Sequence, residues 1–206
     1  NELNVYTRFK QGSWSIFISD TLDNGAGYSS KYAISEEFSE LCKDIDQRLI
    51  QSHFVRSDHA EHCFTSCHRC LRNYENRLNH ERLSWRLALD LFGLMRTHND
   101  SQEFGAHWDI VLREYIPQRL EAMLPNSLIV SETKGHIFYM YQKEGKKVVL
   151  LPWHPFAYGT LEMHAVQREI SEELGAEDTV SFCPHELATA PMTVGQRLIG
   201  EIRALL

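Results

Sequence analysis

Three cysteines packed into eight residues, Cys63-Phe-Thr-Ser-Cys67-His-Arg-Cys70, constrain this chain more than any other feature. The spacing is C-x3-C-x2-C, and its tight C-x2-C half lets two thiolates from one turn meet a single ion at about 2.3 Å. Five cysteines in all is an odd count, and their clustering suits thiolate ligation in a reducing cytoplasm better than a disulfide framework. Zinc is the natural occupant. A redox role for Cys67-His-Arg-Cys70 is less apt, because Cys63 stands beside the pair.

A tetrahedral ion takes a fourth ligand. The candidates are His80, nine intervening residues downstream, Cys42 on the preceding helix, and His62 or His59 beside the cluster. His62 adjoins Cys63 and would strain to share its ion, so the order of preference is His80, then Cys42. Cys42 also reads as plain packing on an apolar helical face, and Cys183 has no partner spacing. With no open position the zinc is structural, tying an irregular loop to two helices. Neither an H-x-E nor an H-E-x-x-H spacing is expected to support a catalytic ion.

The rest of the pattern predicts an α+β chain. Trp14 to Ser19 reads as a strand, followed by the polar loop Asp20-Thr-Leu-Asp-Asn-Gly-Ala-Gly-Tyr28. Phe38, Leu41, Cys42, Ile45 and Leu49 recur at helical steps over about Ser35 to Ile50, and Leu83, Leu87, Leu91 and Leu94 mark a second helix. Further on come a helix from Trp108 to Leu124, an antiparallel meander over Ser127 to Leu151 with Gly135 and Gly145 in its turns, a charged helix from Leu161 to Leu174, a short strand and a last helix. A change of texture near residues 98 to 106 suggests two modules: a zinc-knotted, mainly helical one over 1–100, and a meander with flanking helices over 105–206.

Among 206 residues the formal net charge is −7, which argues against a stand-alone nucleic-acid binder, since duplex affinity comes mostly from cations. Contact with DNA must be local. Arg56, His68, Arg69, Arg72, Tyr74, Arg77, Arg82 and Arg86 gather around the cysteines and can meet phosphates and stack bases, with Arg69, Arg72 and Arg77 foremost. The same arginines also fit an ordinary solvated face paired with Asp58, Glu61, Glu75, Glu81 and Asp90. No segment approaches the roughly 20 apolar residues of a membrane span. Asn1 in place of an initiator methionine leads to the expectation of a longer parent protein.

The loop Asp20-Thr-Leu-Asp-Asn-Gly-Ala-Gly-Tyr28, the cysteines with Leu71-Arg-Asn-Tyr74, Asn76 and His80, and Leu83-x2-Arg86-Leu-Ala-Leu-Asp90 together resemble a known family. This is the zinc-binding domain of unknown function near the C-terminus of large DEAD/DEAH-box helicases, including MrfA-like DNA-repair helicases and proteins of DISARM- and Druantia-type antiphage defence. The resemblance covers about residues 14 to 95. Asn24-Gly25 replaces the family's glycine pair, and Glu61 and Asn76 stand where some members carry a further cysteine. It implies an accessory domain without catalysis of its own, working beside helicase motor domains or a defence-system subunit and helping to hold DNA. No G-x-x-x-x-G-K-[ST] is present, so ATP hydrolysis is expected elsewhere in the parent.

Two other functions fit parts of the sequence. Ser127 to Lys134 runs a strand into Glu132-x-Lys134, half of a Mg2+-dependent nuclease signature, with Asp109 the nearest upstream aspartate; a polar hairpin turn is the preferred explanation. The apolar run Leu151-Pro-Trp-His-Pro-Phe156 is either a packed corner or the anchor of a protein-protein scaffold.

Overall fold

The computed structural model describes residues 3–10, 13–22, 25–97, 104–124, 128–133, 135–157, 161–176 and 178–206. The chain is α+β and forms two compact units, 1–54 and 55–206. The expected boundary near residues 98 to 106 therefore falls inside the second unit. The physical reason is a set of bonds that crosses it, from Asp90 to Trp108 and His154.

In the first unit, β1 (Leu3–Lys10) and β2 (Ser13–Asp20) form an antiparallel hairpin, with Val5 opposite Ile18 and Tyr6 opposite Phe17. The alternation of Leu3, Val5, Thr7 and Phe9 with Asn4, Arg8 and Lys10 carries the β1 signal. The loop after β2 is built around Asp20. Its Oδ1 accepts the N–H of Tyr28 (3.1 Å) and Ser29 (3.4 Å), and its Oδ2 accepts the Ser29 hydroxyl at 2.8 Å. Asp20 thus satisfies the orphan donors at the start of α1 (Tyr28–Tyr32). The glycines are required by space and backbone. A Cβ on Gly25 would meet the Asp20 Cβ at 2.5 Å, and Gly27 has a φ of 75°. Asn24 lies outside the described residues. α2 (Ser35–Ile45) continues as a π-helical stretch to Phe54 and carries the buried Cys42.

The second unit opens with the short α3 (Ser57–Ala60), passes through the cysteine segment and a 3-10 turn at Arg77–Arg82, and enters α4 (Trp85–Thr97). A four-stranded sheet then forms from β3 (Leu128–Thr133), β4 (His136–Lys143), β5 (Lys146–Pro152) and β6 (Asp178–Phe182), in the order β3-β4-β5-β6. The first three strands are the expected antiparallel meander. β6 joins β5 in parallel, after a crossover through α6 (Leu161–Leu174).

Burial on both faces explains the uninterrupted apolar run Val148 to Leu151 in β5. Val148 and Leu150 join Tyr139, Val180 and Phe182 under α5 (Ile116–Met123), α7 (Pro184–Thr189) and α8 (Pro191–Leu205). Val149 and Leu151 face the other way, against Phe138, Met163, Ile170 and Trp153. Leu151-Pro-Trp-His-Pro-Phe156 is accordingly a packed corner: Leu151, Trp153 and His154 are buried, and Phe156 alone of its large apolar residues is exposed. Among the described residues no helix is long and apolar enough to cross a membrane.

Candidate metal centre

His59, Cys63, Cys67 and Cys70 converge, with their four ligand atoms all within 4.8 Å of one another. Local backbone structure explains the convergence. The helical hydrogen-bond pattern runs on past α3, with Cys63 N–H donating to the His59 carbonyl at 2.9 Å, so residues four apart lie on one face. Cys67 to Cys70 closes a tight turn: Cys70 N–H donates to the Cys67 carbonyl at 3.1 Å, and Cys67 N–H donates to Cys70 Sγ at 3.1 Å.

The separations fit a tetrahedral ion. Two thiolates at about 2.3 Å from one metal stand about 3.8 Å apart, and a thiolate and an imidazole nitrogen stand about 3.6 Å apart. Cys63 Sγ and Cys70 Sγ are 3.8 Å apart, and Cys67 Sγ lies 3.7 Å from His59 Nε2. No disulfide joins any of the five cysteines. Burial acts to raise the Cys67 thiol, but N–H donors from Arg69 and Cys70, with the neighbouring thiols, pull it below its ordinary value. Burial, reinforced by the neighbouring sulfurs, pushes Cys63 up. Cys70 is also raised, chiefly by burial.

Comparison with protein-family models, curated proteins and solved structures found no match.

The group that joins the three cysteines is His59 rather than the preferred His80. His80 Nε2 faces two oxygens, the Asn73 carbonyl at 2.9 Å and Asn76 Oδ1 at 3.0 Å, so it carries a proton and donates. Asn73 and Asn76 also exchange backbone-to-side-chain bonds of 2.9 Å, and Asn76 Nδ2 donates to the Leu71 carbonyl. His80 is thus the pin of the 73–80 loop. Cys42, the second choice, lies on α2 of the first unit and does not belong to the group. The signal for His59 was its four-residue spacing to Cys63, which is one helical turn. His59-Ala60-Glu61 is also an H-x-E spacing of the kind zinc deaminases use. The group here also includes Cys63, so four protein ligand atoms suffice for a tetrahedral shell.

The arginines expected to meet DNA have different surroundings. Arg69 pairs with Asp58 at 3.4 Å, and Arg72 Nε donates to Ser66 Oγ at 2.9 Å. Arg77 is exposed, its guanidinium 4.5 Å from the centre of the exposed Tyr74 ring. Arg86 is no part of the surface: it is fully buried. As for the nuclease residues, Lys134 lies outside the described residues, and Glu132 accepts a hydrogen bond from Arg113 at 2.7 Å.

Behind the cluster, α4 fastens the knot to the sheet. Trp85 Nε1 donates to the Cys63 carbonyl at 2.8 Å, and its N–H donates to the Thr65 carbonyl at 2.9 Å. Further along the helix Asp90 Oδ2 accepts two hydrogen bonds, from Trp108 Nε1 (2.8 Å) and His154 Nε2 (2.9 Å), and His107 Nε2 lies 2.9 Å from Oδ1. His154 Nδ1 accepts the Phe156 N–H at 3.2 Å, so Nε2 holds the proton given to Asp90.

Proposed function

We propose that this chain is a non-catalytic accessory domain of a helicase-like protein in DNA repair or antiphage defence, with a structural zinc held by His59, Cys63, Cys67 and Cys70. The observation that carries the zinc reading is a set of four ligand atoms within 4.8 Å of one another, two of whose separations, 3.8 and 3.7 Å, match a tetrahedral shell. Soft thiolates with one imidazole favour zinc over calcium or magnesium. Four protein ligands supply folding energy and leave nothing to activate water, which supports a role without catalysis.

The helicase association is supported by the residues that carry the family resemblance, several of which do identifiable structural jobs. Asp20 and Gly25 build the loop before α1, Asn76 and His80 pin the loop after the knot, and Arg86 and Asp90 fasten α4. DNA engagement is supported by Tyr74 and Arg77, an exposed aromatic and cation on that pinned loop. In this reading the partners are DNA, the motor domains of the parent or a defence-system subunit, and the compartment is the reducing cytoplasm.

The test is binding of labelled single- and double-stranded oligonucleotides by the whole chain across a salt series. Tyr74→Ala with Arg77→Ala removes the exposed pair, and Arg69→Ala/Arg72→Ala/Arg77→Ala removes the three cations. Weaker binding and a shallower salt slope, by about 0.7–0.9 per lost phosphate contact, support DNA engagement. Salt-insensitive binding, or binding unchanged in both variants, overturns it.

A further inference from the structure

Arg86 is fully buried, and every hydrogen bond recorded for its guanidinium goes to a neutral acceptor. Nη1 donates to the carbonyls of Cys63 (2.7 Å) and Phe64 (2.8 Å), Nη2 to that of Ala60 (2.9 Å), and Nε to that of His107 (2.7 Å). Its flat face lies 4.1 Å from the Trp85 ring. Burial lowers its pKa to about 10, which still leaves it a cation at neutral pH. A buried cation without a compensating anion is strongly destabilising.

Asp90, one turn along α4, commits its oxygens to His107, Trp108 and His154. The charges that act on the guanidinium are those of Cys63 and Asp90, and Cys63 belongs to the ligand group. The three carbonyls from residues 60, 63 and 64 belong to the backbone that runs from His59 through Cys63, so the guanidinium grips the strip of chain presenting two of the four ligands. A divalent ion bound by three thiolates and one neutral imidazole carries one net negative charge. Arg86 carries one positive charge.

We propose that Arg86 is the counter-charge and positioning residue of the metal centre, matching the knot to a divalent ion in a three-cysteine, one-histidine set. The inference rests on the metal reading above. It makes the ligand set and the buried arginine a single electrostatic unit: removing the cation leaves an uncompensated anionic centre, and neutralising one thiolate position leaves an uncompensated guanidinium. A monovalent ion in the same set leaves a net charge of minus two, which one arginine does not balance.

The experiment is zinc affinity of the whole chain, by competition with a chromophoric chelator, for wild type, Arg86→Met, Arg86→Lys, Cys70→His and Arg86→Met/Cys70→His, with circular dichroism to check folding. Arg86→Met is expected to weaken zinc about 10- to 100-fold, the range for partners behind a ligand shell, and Arg86→Lys to recover most of it. Cys70→His is expected to lower affinity less in the Met background than in wild type, because the neutral centre then faces no buried charge. Equal losses for Met and Lys, with the same Cys70→His penalty in both backgrounds, mark a mere carbonyl clamp and overturn the inference. If the Met variant does not fold, the Lys variant decides: affinity within about threefold of wild type supports the charge role, and a loss of tenfold or more overturns it. A wild-type chain that binds no zinc fails at the metal reading itself, and the inference falls with it.

Discussion

His59 stands one helical turn ahead of Cys63, and its Nε2 comes within 3.7 Å of Cys67 Sγ. This makes the histidine a ligand by position and separates it from His80, whose Nε2 is engaged by Asn73 and Asn76. Metal content measured by atomic emission is therefore expected to be about one zinc per chain in wild type and in His80→Ala. It should fall well below one in His59→Ala and in Cys70→Ser. Retention in His59→Ala with loss in His80→Ala would reverse the assignment.

Removing the ion should loosen the second unit. A ligand that binds only the folded state stabilises it by mass action, so excess chelator is expected to lower the melting temperature of wild type, and added zinc to restore it. Cys70→Ser should melt at the chelated value with or without chelator. Identical melting of wild type in both conditions would show that the knot does not depend on metal.

Asp90 predicts a response to acid. Burial by itself would raise its pKa, but hydrogen bonds from His107 and His154, the charge of His107 and the Trp108 N–H hold it down at about 2. A carboxylate lowered in the folded state adds stability in full above its unfolded pKa of about 3.9, and that contribution fades as pH falls from there toward 2. After allowance for partial solvent exposure it amounts to about 1–2 kcal/mol. Urea unfolding of wild type between pH 6 and 2.5 should show this loss, and Asp90→Asn should flatten it. Asp90→Ala, which strands the Trp108 and His154 donors, is expected to lower stability by about 3 kcal/mol at neutral pH.

Two glycines should respond in opposite ways to alanine. Gly25 lies against Asp20, where a Cβ would sit 2.5 Å from the Asp20 Cβ, so Gly25→Ala must displace the carboxylate that holds α1. Gly200 is exposed on α8, and a Cβ there meets nothing within 4 Å. Gly200→Ala is expected to add about 0.5–1 kcal/mol by helix propensity, and Gly25→Ala to destabilise the first unit by at least as much. Chemical denaturation of the two variants checks both signs.

Much of this architecture was legible from local pattern. The meander was marked by Gly135 and Gly145, both with positive φ, and the charged helix over Leu161 to Leu174 runs between the residues expected. The three cysteines were fixed by spacing alone. Less legible was whatever depends on partners distant in sequence. β6 pairs with β5 in parallel across a crossover, which no hairpin signal announces. Arg86 reads as surface by its charge, yet its carbonyl acceptors from residues 60 to 107 make it interior. The alignment of His59 with Cys63 depends on a helical turn that cysteine spacing does not express. The change of texture near residue 100 is real in composition, but Trp108 and His154 reach back across it to Asp90.

That reach decides where the chain can be cut. A fragment ending near residue 100 keeps all four metal ligands yet loses the His107 carbonyl that receives Arg86 and the two nitrogens that share Asp90 Oδ2. The knot is for this reason not a portable cassette. Transplanting it into another protein means carrying these partners along, and the compact unit that contains them all is residues 55–206.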